Sequence, residues 1–192
     1  SLLEAATARC PDTVALVWAG GLLTRRELWE WAGAVAGKLA AVGVAPGDRV
    51  AIAIPNRWDF VAATLGSWML GATVAPVDVL LKAEERGALL ADLQPRTIVS
   101  EVTTERVPGP EVAPSTAPAL ILYTSGSTGR PKGAVLSHAA LTFAVDSWRG
   151  PVMALSASDV VLGVLPFAHS FGLNGALLAP LFSGARVVLV ER

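Results

Sequence analysis

Between two apolar runs, Ala119 to Tyr123 and Ala134 to Leu136, the chain carries an insert dense in groups that bind anions. Thr124, Ser125, Ser127 and Thr128 place four hydroxyls within five residues, and Arg130 and Lys132 add two cations. Gly126, Gly129 and Gly133 allow close approach of backbone N–H groups to a ligand. Pro131, between the cations, fixes φ and stiffens the turn from which they project. Hydroxyls, free N–H groups and constrained positive charge together suit a polyphosphate. The spacing Gly-x-x-x-x-Gly-Lys-Ser/Thr of a P-loop cannot be laid on Gly126 to Gly133, and no dinucleotide fingerprint fits. A Gly/Ser/Thr cluster is also the composition of a plain hairpin loop, so neighbouring residues must decide.

The eleven residues Tyr123 to Gly133, Tyr-Thr-Ser-Gly-Ser-Thr-Gly-Arg-Pro-Lys-Gly, resemble the phosphate-loop signature of the adenylate-forming superfamily: acyl-CoA synthetases, luciferases and peptide-synthetase adenylation domains. Weaker pieces extend the resemblance over essentially the whole chain. They are Leu23-Thr24 with Glu27-Leu28, Gly43 to Ile52, Pro55-Asn56, Gly71-Ala72 and Ala75-Pro76. Asp78-Val79-Leu80 departs from the pattern, since many members have Asn-Pro there; a local loop difference and nothing catalytic is expected.

Pro166 to Gly172, Pro-Phe-Ala-His-Ser-Phe-Gly, resembles the superfamily's second core motif, whose His lies beside the acyl substrate and the phosphates. Peptide-synthetase domains usually carry Phe-Asp-x-Ser here, which favours the acyl-CoA synthetase and luciferase branch. The resemblance implies ATP-dependent activation of a carboxylic acid to an acyl-adenylate, followed by transfer to coenzyme A, with Mg2+ bridging phosphate oxygens. Thr124, Ser125, Gly126, Ser127, Thr128, Gly129 and Lys132 become the expected nucleotide-binding residues, and Lys132 and His169 the expected catalytic ones. A carboxylate is already ionised at neutral pH, so His169 is expected to position and gate rather than carry a proton. The adenine, ribose and magnesium-binding motifs and the C-terminal lysine of the superfamily have no match before Arg192. The chain therefore reads as the N-terminal part of a large adenylation domain, inactive alone and prone to self-association. A nucleotide- or acyl-binding module without catalysis is the alternative.

The elements that must position these groups alternate. Val14 to Leu23 reads as a hairpin, and Thr24 to Glu27 as a capping box opening a helix to Gly43 with Leu28, Trp31, Ala32, Val35 and Leu39 on one face. Arg49 to Ile54, Thr73 to Val77 and Thr97 to Ser100 read as strands; Trp58 to Leu70, capped by Asn56, and Ala83 to Leu93 read as helices. After the anion loop come a Ser137-capped helix to about Trp148, a strand Val160 to Leu165, a helix Phe171 to Phe182 and a strand Arg186 to Val190. Such alternation implies an α/β fold of mostly parallel sheets layered with helices. Residues 1–102 form a first subregion, the Pro-rich 103–118 a linker, and 119–192 the phosphate-loop subregion.

Composition limits the alternatives. The 192 residues are 53% hydrophobic and 16% charged, enough to bury a core of roughly 70% of the unfolded surface. Fifteen basic residues against sixteen acidic ones, scattered along the chain, argue against nucleic acid as a partner. The lone Cys10 next to Pro11 suits an inert thiol in a reducing, cytoplasmic setting. The long uncharged stretch Phe60 to Val77 is broken by Gly66, Gly71, Thr73 and Pro76, which makes it helix then strand rather than a membrane span.

Overall fold

Thr24 and Glu27 close the expected capping box: the Thr24 hydroxyl accepts from the Glu27 N–H at 3.2 Å and the Glu27 carboxylate accepts from the Thr24 N–H at 2.8 Å. In this computed structural model, which describes residues 10–102, 116–124 and 131–191, the box ends a hairpin, β1 (Val14–Trp18) and β2 (Gly21–Thr24). It opens α1 (Arg25–Ala41), which buries Leu28, Ala32, Val35 and Leu39. Each such side chain removed from water contributes about 1.5–3 kcal/mol, so the apolar stripe rather than intrinsic propensity holds the helix in place. The expected N-terminal helix tail, most of the linker, and Ser125, Gly126, Ser127, Thr128, Gly129 and Arg130 lie outside the described residues.

Parallel strands β3 (Arg49–Ile52), β4 (Thr73–Pro76) and β5 (Thr97–Val99) alternate with α2 (Trp58–Met69) and α3 (Ala83–Leu93), as expected. With β6 (Pro118–Thr124) and β7 (Lys132–Ser137) they form a five-stranded sheet in the order β5-β3-β4-β6-β7. β7 departs from the parallel rule and runs antiparallel to β6. The connection between them is shorter than the roughly a dozen residues a parallel crossover requires, so the chain turns back on itself.

Ser137 caps α4 (His138–Ser147), its hydroxyl accepting from the Ala140 N–H at 3.1 Å. A π-helical turn, Trp148–Val152, follows. Then come β8 (Val160–Gly163), a π-helical segment Gly172–Leu178 running into α5 (Ala179–Ser183), and β9 (Arg186–Leu189). β8 and β9 join the N-terminal hairpin in a second sheet, β2-β1-β9-β8. Each sheet thus takes strands from both sides of the Pro-rich stretch. The fold is α/β, with two mostly parallel sheets flanked by helices.

Buried side chains from both sheets and the helices between them form the main core, including Leu16, Phe60, Val74, Leu120, Phe167, Leu173 and Leu177. Phe60 of α2 meets Phe167 with ring centroids 5.5 Å apart. Arg25 is 2% exposed and satisfied from three directions: it donates to the carbonyls of Leu181 at 2.9 Å and Ala185 at 2.8 Å and to the Thr13 hydroxyl at 3.2 Å. A buried guanidinium is tolerated only when its donors are engaged, and here that engagement fixes α1 against the turn before β9. Among the described residues no helix is long and apolar enough to cross a membrane.

Candidate functional site

The open end of the β6–β7 hairpin brings two expected site residues together. Thr124 and Lys132 are register partners, both exposed, and the Thr124 hydroxyl points at the Lys132 carbonyl at 3.5 Å. One residue back, the Tyr123 hydroxyl donates to the Asp92 carboxylate of α3 at 2.7 Å and anchors the hairpin to the layer beside the sheet. Burial, together with that bond, pushes the phenol pKa up, so the group stays a neutral donor. Gly133 is needed for packing: a Cβ there would stand 2.8 Å from Ile121 Cγ2 and 3.2 Å from Tyr123 Cζ. The hairpin mouth thus presents a hydroxyl and an ammonium on an anchored base.

His169 lies in the turn between β8 and the π-helical segment, and that turn is pinned from the other sheet. Asn56, at the carboxyl end of β3, donates to the Gly163 carbonyl at 3.1 Å and the Leu165 carbonyl at 2.7 Å, and accepts from the Phe167 N–H at 2.9 Å. Asn56 was expected to cap α2. The cap position is instead Arg57, which makes no side-chain capping bond, because the Asn56 amide is committed to three bonds across the sheets. Gly172 completes the tight turn: a Cβ there would lie 2.2 Å from the Pro166 carbonyl oxygen.

His169 Nε2 sits 3.1 Å from Asp78 Oδ2. Asp78 follows β4, and its other oxygen accepts from the Leu80 N–H at 2.9 Å, a local turn that orients the carboxylate. The Asp78 side chain is 19% exposed and that of His169 58%, so the pair has its acid on the protein side and its imidazole toward solvent. Beside it runs a small open cleft lined by Ile54, Asn56, Val77, Asp78, Leu80 and Phe167 among others. Asp78 was expected to mark a loop difference and nothing more. Its position directly after a parallel strand was the available signal, since ligands of open α/β sheets gather at the carboxyl ends of strands.

Register relates the two groups. Val74 of β4 pairs with Leu120 of β6, and the strands are parallel, so Asp78 and Thr124 each lie four residues further along, toward the carboxyl ends of these strands. The expected Thr124 and Lys132, and the expected His169 through its contact with Asp78, therefore lie toward the same end of the five-stranded sheet. The expected Ser125, Gly126, Ser127, Thr128 and Gly129 are outside the described residues. Among the described residues no group of three or more His, Cys, Asp or Glu side chains is placed to hold a metal ion, so Mg2+ has no assigned protein ligand there.

The family model described as AMP-binding enzyme matches residues 3–111 and 100–192. The chain belongs to the AMP-binding enzyme family. Pyochelin synthetase PchE of Pseudomonas aeruginosa is 33% identical over 203 residues, covering 93% of this chain and 14% of that protein. The mitochondrial malonate–CoA ligase ACSF3 of Homo sapiens is 31% identical over 218 residues, covering 93% of this chain and 37% of the ligase. Among solved structures, VinN in complex with 3-methylaspartate superposes with a TM-score of 0.89 at 27% identity, over 98% of this chain and 60% of VinN. The N-terminal subdomain of Klebsiella oxytoca NpsA in complex with 3-hydroxyanthranilyl-AMSN gives 0.85 at 26% identity, over 99% of this chain and 52% of that one. This AMP-binding enzyme chain thus spans less than two thirds of the length of each of these relatives.

Proposed function

We propose that the protein carrying this chain activates a carboxylic acid with ATP, forming an acyl-adenylate and pyrophosphate, and then passes the acyl group to the thiol of coenzyme A. The family membership of the chain, together with a hairpin mouth that presents Thr124 and Lys132, carries this reading. In the first step a carboxylate oxygen bonds to the α-phosphorus and the bond to pyrophosphate breaks. No protein nucleophile is needed; the protein must align the reactants and stabilise the departing charge. Lys132 suits the second task, and the hydroxyl of Thr124, with those of the adjoining loop, suits phosphate oxygens. Magnesium, when bound, supplies further neutralisation of those oxygens.

Coenzyme A as the acceptor is supported by the Pro166 to Gly172 sequence, with His where peptide-synthetase domains usually carry Asp, and by the coenzyme A ligase among the relatives. A carrier-bound thiol is the second reading, supported by the peptide synthetases that recur among those relatives. The test is carboxylate-dependent exchange of labelled pyrophosphate into ATP by the whole protein, run against a panel of fatty and aromatic acids. Thioester formation is then assayed separately with coenzyme A and with a phosphopantetheinylated carrier. No exchange with ATP binding intact would leave a nucleotide-binding module without catalysis.

A further inference from the structure

We propose that Asp78 is a positioning residue that sets the tautomer of His169, fixing the proton on Nε2 and leaving Nδ1 as a hydrogen-bond acceptor. The argument is one of donor and acceptor inventory. An ionised carboxylate only accepts, so the imidazole nitrogen 3.1 Å from Asp78 Oδ2 must carry a proton. Asp78 cannot swing away to accommodate the opposite tautomer, because its Oδ1 is held by the Leu80 N–H at 2.9 Å and its side chain is largely covered. His169 is held in turn through its own backbone, whose N–H donates to the Pro166 carbonyl at 3.1 Å and whose carbonyl accepts from the Leu173 N–H at 2.9 Å. Among the described residues no bond to Nδ1 is present, and the ring is more than half exposed. In a neutral ring held this way, Nδ1 is an acceptor.

Substituting asparagine makes the inference sharp. An Asn at position 78 has the same shape but one oxygen and one NH2. If its oxygen keeps the bond to the Leu80 N–H, its NH2 faces His169 and Nε2 must become the acceptor, which moves the ring proton to Nδ1. The alternative rotamer sets NH2 against the Leu80 N–H, donor against donor. Asp78→Asn therefore inverts the tautomer, whereas Asp78→Ala frees the ring to take either. Asp78 therefore changes what the imidazole presents to a ligand and not only a loop.

The placement of the proton stands on geometry alone; what it does for turnover rests on the proposed acid-activating function. In nitrogen-15 spectra of the whole protein labelled at histidine, the His169 signals are assigned by their loss in a His169→Gln sample. Recorded at alkaline pH, the unsubstituted protein is expected to show His169 protonated on Nε2 and Asp78→Asn to show it protonated on Nδ1. An unchanged tautomer in Asp78→Asn overturns the proposal. In the whole protein, Asp78→Asn is expected to lower the kcat of pyrophosphate exchange about tenfold further than Asp78→Ala, with KM for ATP unchanged, because a wrongly held ring is worse than a free one. A purely structural role predicts the reverse order, the isosteric Asn being milder, and that order would also overturn it. If the unsubstituted protein shows no exchange, the proposed function fails while the spectra still decide the tautomer.

Discussion

Asn56 and Phe167 are 111 residues apart in sequence, yet the Phe167 N–H donates to Asn56 Oδ1 at 2.9 Å and ties the His169 turn to the end of β3. The same amide donates to the Gly163 and Leu165 carbonyls, so one side chain satisfies three backbone groups where the two sheets meet. Asn56→Ala leaves those groups without partners and is expected to lower the unfolding free energy by about 2–3 kcal/mol. Asn56→Asp should cost at least as much, since a carboxylate cannot donate and faces two carbonyl oxygens. Urea denaturation of the three proteins measures both; an Asp variant as stable as the parent would show that this amide does not hold the turn.

Local and distant determinants separate cleanly in this chain. The capping box at Thr24 and the Ser137 cap join partners three residues apart, and both were legible. So were the βαβ units from Arg49 to Val99, whose apolar runs and Gly breaks carry the period of each element. Asn56 read as a cap because Asn before a helix usually is one; its real partners lie more than 100 residues on, where no periodicity reports them. Asp78 was unreadable for the same reason, its partner being 91 residues away. Arg25, inside the capping-box string, is buried because α5 and the turn into β9 supply its acceptors, and those too lie far along the chain. Thr124, Lys132 and His169 could be named as candidates because their neighbours in sequence form recognisable strings.

Lys132 leads β7, and its ammonium is the described cation at the hairpin mouth. A positive charge beside the phosphates matters most as pyrophosphate departs, when charge collects on the leaving group. Lys132→Ala in the whole protein is expected to slow pyrophosphate exchange by about 10²–10³ while leaving affinity for the acid nearly unchanged. A variant retaining more than half of the normal exchange rate removes Lys132 from the site.

The contact between α1 and α2 depends on the absence of a side chain at Gly66. A Cβ there would stand 2.6 Å from the Ala32 carbonyl oxygen and 2.9 Å from Val35 Cβ, and backbone cannot yield as a flexible side chain does. Gly66→Ala should therefore destabilise by about 1–3 kcal/mol despite the better helix propensity of alanine. Gly87 in α3 is the matched control, because nothing lies within 4 Å of its Cβ position. Gly87→Ala should stabilise by about 0.5–1 kcal/mol. Thermal unfolding of the pair would expose an error if both shifts had the same sign.

Asp59, in the first turn of α2, gives the stability of the fold a pH dependence of definite sign. Its side chain is fully buried; one oxygen takes the Arg57 guanidinium at 2.9 Å and the other has no hydrogen-bond partner among the described residues. Burial raises its pKa above the ordinary carboxylate value, while Arg57 and nearby backbone N–H groups pull the other way without cancelling it. The folded state therefore takes up a proton at higher pH than the unfolded chain, whose Asp titrates near the reference value of about 3.9. Between those two values the folded protein binds more protons than the unfolded one, so stability falls as pH rises through the window and is level above it. On acidification from neutral pH, this residue alone makes the fold more stable until the unfolded carboxylate is protonated as well. Asp59→Asn removes the titration. The difference in unfolding free energy, unsubstituted protein minus Asp59→Asn, should accordingly increase as the pH is lowered from 7 toward 4. Other carboxylates contribute their own slopes to both proteins and cancel in the difference, which is why the pair and not the single curve is the measurement. A difference that stays constant across that range would mean that Arg57 and the helix N–H groups balance burial, and one that shrinks would mean that they outweigh it and hold Asp59 as a stabilising anion.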